Sequence, residues 1–409
     1  MVKLMLLAAA AAALILLVGG RAFARPVKAG PDSLDETASL ADLIAPGKTV
    51  HIVFVHGMRA FDRGASKPLL RLMEQRLHFT SQTAAPTFFD LEPRPVATYL
   101  EKPIWKDEAD WEASRPFVVR SQLRRDDGAR VILDEVNWWP LLFPLKCKFL
   151  LVPEHDLSGD DRKGLGRCGL DKDAPHDWLD AEDRRVLATP ASGHAALGNR
   201  SLKQQIMNWG LADAVIAGGP MRFYVNQAMQ KAFEFARKGG GTDDSYVVMA
   251  ESLGSFAVLD AMASGGDNVN YVMDRSDNLY FFANQVALLE LGRLKGIPSS
   301  PDAVTGGEKS LAPPETAASP FSALMGWAAR PSGDMAAAER RDRPRQIIAF
   351  SDPSDVLTYR VPAVCGVKVV NVYVRNTPRW LGLIANPAKA HTGHVGNKDV
   401  WDILVQRRR

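Results

Sequence analysis

The sequence is poor in cysteine and carries little excess charge of either sign. Its 409 residues include three cysteines, and the formal net charge at pH 7 is +3. The basic residues are dispersed apart from the terminal run Arg407–Arg409, so nothing indicates a nucleic-acid-binding surface. The sequence also lacks a GxxxxGK phosphate-binding loop, a dinucleotide fingerprint after a strand and an internal repeat. The sequence therefore gives no support to nucleotide binding or nucleic-acid binding.

Long apolar runs are also scarce, and the longest one lies near the N-terminus. It extends from Leu4 to Val18, follows Lys3 and precedes a small-x-small triplet at 22–24. The run is shorter than the roughly 20 residues that a membrane-spanning helix needs. We therefore predict a signal peptide over residues 1–24 and an exported protein, periplasmic or secreted. Because Arg25-Pro26 disfavours cleavage, the alternative is an uncleaved anchor that keeps the protein near a membrane surface.

The three cysteines fit an oxidising compartment. Cys147 and Cys168 flank an irregular stretch that contains several glycines. A disulfide between them would contribute about 3 kcal/mol to stability through loop entropy. Cys365 is left over, and no strand-to-helix turn follows it. We therefore interpret Cys365 as a buried thiol and not as a nucleophile.

Apolar runs of strand length recur along the chain and alternate with segments of helical periodicity. Thr49–Val55 is a continuous β-branched and aromatic run, typical of a strand buried on both faces of a parallel sheet. Further strands are predicted at 131–136, 246–249, 279–283, 346–350 and 367–374. Helices are predicted after an N-cap at Ser66, within 201–238 and at 399–404. This alternation predicts an α/β fold with a mostly parallel central sheet flanked by helices.

The predicted domain organisation is simple. After a polar linker at 25–47, residues 48–409 form one α/β domain, and the 46% hydrophobic content allows a large core. Two long stretches depart from the strand–helix alternation. The first covers 79–130 and continues over 152–200, and it is expected to form a lid or cap. The second, 298–343, is rich in proline, alanine, serine and glycine and is expected to be mobile.

The most specific motif lies in Val247–Gly254. An apolar strand runs directly into Ala-Glu-Ser-Leu-Gly, and a helical pattern follows. A nucleophilic serine at such a turn needs small residues two positions before and after it, because larger side chains would collide with neighbouring elements. Ala250 and Gly254 meet that need on either side of Ser252. The alternative is that Ser252 is merely a helix N-cap.

Together with two later loops, this turn makes the chain resemble the lipase and esterase side of the α/β-hydrolase superfamily, over most of the sequence from Thr49 to Leu404. That superfamily carries its acid and its histidine after the nucleophile, each in a loop that follows a strand. Asp355 resembles the acid of the family, because it lies past the strand at 346–350 and directly before Val356-Leu357. Asp352 is the alternate acid, although Asp352-Pro353 also favours a β-turn.

The histidine of the resemblance lies between the strand at 367–374 and the last helix. His391 resembles the catalytic base of the family. The chain departs from the family at His394, where relatives often have an aromatic residue, so His394 is the alternate base. The resemblance also implies an oxyanion hole made by two backbone N–H groups. One is that of Leu253, at the start of the helix after the nucleophile, and the other is that of Met58, after the strand ending in His56-Gly57.

The resemblance implies an exported serine hydrolase that cleaves carboxylic esters of a small molecule or a lipid through a seryl acyl-enzyme. A serine hydroxyl becomes a good nucleophile when an imidazole accepts its proton, and a carboxylate fixes that imidazole. No cofactor or metal is expected. An acidic run over 171–183 matches no calcium-binding or zinc-binding spacing. The alternatives are an acyltransferase that uses the same three residues and a non-catalytic binding protein with the same fold.

Overall fold

The computed structural model describes residues 39–57, 64–92, 98–99, 102–153, 162–189, 207–208, 210–219, 221–290, 320–330, 345–377 and 385–406. The predicted signal peptide at 1–24 and the predicted oxyanion residue Met58 lie outside these ranges. No helix within the ranges is long and apolar enough to cross a membrane.

The strands of the described residues form one large sheet and one short hairpin. Their bounds are β1 Thr49–Val55, β2 Thr80–Thr83, β3 Thr87–Phe88, β4 Thr98–Tyr99, β5 Lys102–Pro103, β6 Phe117–Arg124, β7 Arg130–Asn137, β8 Ser245–Glu251, β9 Ser276–Phe282, β10 Arg345–Ser351 and β11 Val367–Tyr373. The large sheet contains nine of these strands in the order β11-β10-β9-β8-β1-β7-β6-β2, with β3 also paired to β6. The strands β7, β1, β8, β9, β10 and β11 are parallel, whereas β6 runs antiparallel to β7.

The helices connect these strands and cover the sheet. Those described are α1 Leu40–Leu43, α2 Lys67–Leu77, α3 Glu108–Ala113, α4 Phe143–Lys146, α5 Arg162–Leu165, α6 Ala181–Ala188, α7 Ala212–Gly218, α8 Arg222–Lys238, α9 Leu253–Ser264, α10 Asp267–Asp274, α11 Val286–Glu290, α12 Pro320–Ala329, α13 Pro387–Thr392 and α14 Lys398–Gln406. Short π-helical segments at Cys147–Leu151 and Gly166–Leu170 extend α4 and α5.

Two hydrophobic cores lie on opposite faces of the sheet, because side chains along a strand alternate between its faces. In β1, Val53 and Val55 belong to the core shared with α8, α9, α10 and α12. The alternating residues Ile52 and Phe54 belong to the core shared with α1, α2 and α14. The sheet is therefore a middle layer with helices on both sides, which confirms the predicted α/β class with a mostly parallel sheet.

The predicted strands agree closely with the observed ones, but residues 79–130 contribute strands to the sheet that the sequence did not predict. The sequence predicts an insertion here that forms a lid or cap. Its segments β2, β3 and β6 instead extend the sheet beyond β7 by antiparallel pairing. The strand β6 alternates between buried and exposed residues in part, as an antiparallel strand near a sheet edge does. Short, polar strands such as β2 carry little apolar signal.

Three smaller expectations also change. The region 25–47 is not all linker, because Leu40 and Ile44 are buried against the core that contains α2 and α14. Ser66 precedes α2 but its side chain makes no capping hydrogen bond; its hydroxyl donates to Glu135 at 2.5 Å. Cys365 was expected to be buried and is exposed, since it lies in a turn before β11 and not inside a strand.

A compact region follows the carboxyl end of β7 and is tied together by covalent and ionic bonds. Cys147 and Cys168 form the disulfide that the sequence suggested, and both are fully buried. Next to it, Lys146 forms an ion pair of 2.7 Å with Asp213, and both side chains are almost fully buried. These bonds join α4 to the segment at Gly166–Leu170 and to α7.

Candidate active site

Ser252 lies on a sharp turn between β8 and α9. Its backbone has φ 50° and ψ −123°, a conformation that residues with a side chain rarely adopt and that costs about 1–3 kcal/mol. The Ser252 N–H donates to the Phe282 carbonyl at 2.7 Å, which continues the pairing of β8 with β9 through the turn. The strained residue is therefore held by the sheet, at the carboxyl end of its central strands.

Two glycines allow the turn to pack against β1. A Cβ at Gly254 would lie 2.5 Å from the His56 carbonyl oxygen, and a Cβ at Gly57 would lie 2.5 Å from the Ser252 Cβ. Real Cβ atoms do not approach other atoms so closely, so only glycine fits at either position. The small residue that the sequence pattern requires at 254 is thus explained by contact with the end of β1.

Ser252, His391 and Asp355 form a continuous chain of hydrogen bonds. The Ser252 Oγ lies 2.7 Å from the His391 Nε2, and the His391 Nδ1 lies 2.7 Å from the Asp355 Oδ2. All three residues are buried to more than nine-tenths. They come from three different strand ends: Ser252 follows β8, Asp355 follows β10, and His391 lies on α13 after β11.

The hydrogen bonds determine which nitrogen of His391 carries the proton. The ionised Asp355 carboxylate can only accept a hydrogen bond, so Nδ1 must donate to it. In the neutral ring, Nε2 then has a free lone pair directed at the Ser252 hydroxyl. This is the tautomer that allows the imidazole to accept the serine proton.

The carboxylate of Asp355 is kept ionised by its neighbours. Burial alone would raise its pKa, but hydrogen bonds from His391, the Thr358 hydroxyl and the Leu357 N–H outweigh burial and lower the pKa below its ordinary value. The Leu357 N–H donates to Oδ1 at 2.9 Å, so both carboxylate oxygens are engaged. Asp355 is therefore a fixed negative charge behind His391.

The alternate acid and the alternate base occupy different positions. Asp352 accepts the Ser354 N–H at 2.8 Å and the Asn376 N–H at 2.7 Å, so its carboxylate holds the loop together. His394 is fully buried, and neither ring nitrogen has a hydrogen-bond partner in the described part of the chain. Burial lowers the pKa of His394 to about 3, so its ring is neutral.

The predicted oxyanion region is described only in part. Leu253 is the first residue of α9, where a backbone N–H has no acceptor within its own helix. Gly57 lies against Ser252, and its carbonyl accepts a hydrogen bond of 2.6 Å from the His56 Nδ1. The Trp138 N–H donates to His56 Nε2 at 3.3 Å. Because burial lowers the pKa of His56 to about 4, the ring is neutral, and these two bonds fix its tautomer.

Glu135, near the end of β7, holds the chain at Gly64 and Ser66, just before α2. Its carboxylate accepts hydrogen bonds from the Gly64 N–H at 2.8 Å, the Ser66 N–H at 2.9 Å and the Ser66 hydroxyl. A longer bond of 3.3 Å comes from Asn137. Burial alone would raise the pKa of Glu135, but these bonds outweigh burial and lower the pKa below its ordinary value. The end of β7 therefore fixes both Gly57, through Trp138 and His56, and Gly64.

Glu251 adds a second carboxyl group beside Ser252. It is partly buried at the end of β8. Burial raises its pKa to about 7, although the nearby His391 and a hydrogen bond from the Gly57 N–H act in the opposite direction. This group therefore changes its charge near neutral pH.

Two asparagines lie near the site: Asn284, which the sequence indicates is a structural side chain or a pocket wall, with the structural role preferred, and Asn376, which the sequence did not single out. Asn284 follows β9; its Nδ2–H donates to the Tyr359 carbonyl at 2.9 Å, which ties the loop after β9 to the loop of Asp355. Asn376 follows β11 and contacts both Asp352 and Ala390. Their position just after strands of a parallel sheet was a signal for both residues.

The acidic run at 171–183 is used for structure. Asp180 caps α6 together with Asp183, and Asp177 pairs with Arg184 at 2.6 Å. His176 bonds Asp110 at 2.6 Å. In the part of the chain that the structure describes, no cluster of histidine, cysteine, aspartate or glutamate could hold a metal ion.

Comparisons of the chain with known protein families, with curated proteins and with solved structures found no match.

Proposed function

We propose that this protein is a serine hydrolase of the α/β-hydrolase type that cleaves carboxylic esters through a seryl acyl-enzyme. The observation that carries the proposal is the hydrogen-bonded chain Ser252–His391–Asp355, with the nucleophile on a strained turn at the carboxyl ends of parallel strands. The order of the three residues along the chain and their positions after separate strands are those of the superfamily that the sequence resembles.

The geometry suggests how each group acts. Ser252 Oγ attacks the ester carbonyl while His391 Nε2 takes the hydroxyl proton, and His391 then gives this proton to the leaving alcohol. Asp355 keeps Nδ1 protonated and stabilises the imidazolium that forms. The N–H of Leu253 at the start of α9 supports the oxyanion, and the sequence assigns the second donor to Met58. Water attacks the acyl-enzyme in the second half of the reaction, with His391 again as base.

Two further parts of the proposal concern location and shape. An exported protein would form the buried disulfide Cys147–Cys168 in an oxidising compartment. The chain leaves the sheet at the carboxyl end of β7, which is also the end that carries Ser252, and leads there into α4 and the segments bonded to it. Of the predicted cap, we therefore assign the described residues 162–189 to a position beside the proposed ester-binding site.

The proposal is tested by labelling the purified protein with a fluorophosphonate probe. We expect a covalent adduct in the wild type and none in Ser252→Ala. Ser255→Ala is the matched control, because Ser255 is a buried serine three residues away whose hydroxyl donates to the Ser252 carbonyl. Absence of an adduct in the wild type, or an equal adduct in Ser252→Ala, would overturn the proposal. Hydrolysis of nitrophenyl esters of increasing chain length would then identify the acyl group.

A further inference from the structure

Asn376 connects the two loops that bring His391 and Asp355 together. Its side-chain Nδ2–H donates to the Ala390 carbonyl at 2.6 Å, one peptide bond before His391. Its backbone N–H donates to the Asp352 carboxylate at 2.7 Å. Asn376 thus contacts the helix of the base and the loop of the acid at the same time.

The Asp352 side of this connection leads directly to Asp355. The Asp355 N–H donates to the Asp352 carbonyl at 2.9 Å, which makes a tight turn. The Asp352 carboxylate also accepts the Ser354 N–H. A displacement of Asn376 is therefore transmitted through Asp352 to the backbone of the acid.

The histidine side is packed closely around Asn376. A Cβ at Gly393 would lie 2.7 Å from the Asn376 Cβ, so only glycine allows this contact. The Asn376 Oδ1 accepts a hydrogen bond of 2.8 Å from Asn397, just before α14. The helix α13 spans only Pro387–Thr392. A helix of this length is not stable alone, so its position depends on such contacts.

The distance between His391 and Asp355 is not fixed by the covalent chain, because the two residues lie on separate loops. Their 2.7 Å hydrogen bond forms only if α13 and the Asp355 loop are held at a fixed distance from each other. A misplacement of about 1 Å in a catalytic group costs roughly 100-fold in rate. The residue that holds both loops therefore influences the reaction without touching the substrate.

We propose that Asn376 is a positioning residue that sets the distance between Asp355 and His391. This inference rests on the proposed hydrolase function for its effect on rate, and on the described contacts alone for its effect on geometry. It assigns to Asn376 a role in kcat and not in substrate binding.

Two variants and one control test the inference. Asn376→Asp keeps the shape but cannot donate to the Ala390 carbonyl, and Asn376→Ala removes the side-chain bonds altogether. The control is Asn371→Ala, also on the β11 side of the site. Asn371 is buried and bonds the Val361 N–H at 2.9 Å and the Val361 carbonyl at 3.0 Å, so its loss removes equivalent bonds away from His391.

The first measurement is the steady-state rate on a nitrophenyl ester, with thermal unfolding followed in parallel. We expect kcat of both Asn376 variants to fall about 10-fold to 100-fold, with KM within about twofold of the wild type. The Asn371 control should keep kcat within about twofold at a similar loss of stability. Equal kcat values in the Asn376 variants and the control would overturn the inference.

The second measurement does not need activity. The Nδ1 proton of a histidine bonded to a carboxylate gives a low-field proton resonance, which is assigned here by its loss in His391→Ala. We expect this resonance to shift or disappear in Asn376→Asp and to stay unchanged in Asn371→Ala. An unchanged resonance in Asn376→Asp would overturn the inference even if the enzyme is active. If the wild type turns over no ester, the proposed function fails, and this resonance still decides whether Asn376 positions His391.

Discussion

Two histidine–aspartate pairs, each with a buried histidine, lie at opposite ends of the same sheet. At the carboxyl end, the His391 Nδ1 lies 2.7 Å from Asp355. At the amino end, the His51 Nε2 lies 2.9 Å from Asp244, with His51 on β1 and Asp244 just before β8. In distance and in the burial of the histidine the two pairs are nearly alike.

They differ in what the second ring nitrogen meets. His391 Nε2 faces the Ser252 hydroxyl, whereas His51 Nδ1 has no hydrogen-bond partner within the described residues. The His51 ring stacks on Tyr246 with 4.8 Å between ring centres. Burial lowers the pKa of His51 despite the opposing effect of Asp244. A histidine–carboxylate pair by itself therefore does not distinguish the two ends of the sheet; the serine hydroxyl that faces His391 does.

The strongest test of this difference replaces each histidine by alanine in a separate variant. We expect His391→Ala to lower kcat by about 10⁴-fold or more, because the serine loses its base. We expect His51→Ala to keep kcat within about twofold and to lower the free energy of unfolding by about 1–3 kcal/mol, since it removes a buried ring that stacks on Tyr246 and a hydrogen bond to Asp244. Ester hydrolysis and urea unfolding measure the two effects. A large loss of kcat in His51→Ala would remove the distinction between the pairs.

An effect of intermediate size is expected at Glu135, whose hydrogen bonds lie at the carboxyl end of the sheet. Glu135→Gln replaces one of the two acceptor oxygens by an NH₂ donor, which cannot accept from the Gly64 or Ser66 N–H group. We therefore expect Gly64 and Ser66 to be displaced. We expect kcat to fall about 10-fold to 100-fold. Asp134→Asn is the control: it removes a buried carboxylate on the same strand that bonds Arg120 instead. If Asp134→Asn lowers kcat equally, the effect is one of general stability.

The smallest expected effect comes from Glu251, again at the carboxyl end. Because burial raises its pKa from 4.5 to about 7, the folded protein holds this proton more tightly than the unfolded chain. Its contribution to stability is therefore complete below pH 4.5 and is lost as the pH rises through 7. We expect Glu251→Gln to be more stable than the wild type by about 1–2 kcal/mol at pH 8 and equally stable at pH 4.

Urea unfolding at the two pH values measures this difference. A stability difference that is the same at pH 4 and pH 8 would mean that the ionisation of Glu251 is not its cause.

The sequence predicted the parts of the molecule that depend on strong local patterns. The bounds of β1 were predicted to the residue, because a run of β-branched and aromatic residues buried on both faces is distinctive. The small residues around Ser252 were equally informative, since the turn brings Gly254 against the end of β1. The choice of Asp355 over Asp352 rested on the family resemblance, in which the acid comes directly before an apolar pair.

The sequence could not reveal what depends on long-range pairing. The strand β6 joins the sheet through β7, and its mixture of apolar and charged residues gives a weaker strand signal than a continuous apolar run does. His51 and Asp244 lie far apart along the chain, so their pairing had no local signal. The same holds for Asn376, whose partners Asp352 and Ala390 meet only when the chain segments after β10 and β11 lie side by side.

The helix α9 has one further consequence. Residues from Leu253 to Met262 are all buried, so α9 is enclosed by protein on every side. Ser252, at the N-terminal end of this helix, is held by the packing of α9 and by its hydrogen bond to β9. If the proposed hydrolase function holds, we expect any adjustment to a bulky ester to occur in the surrounding chain segments and not at Ser252.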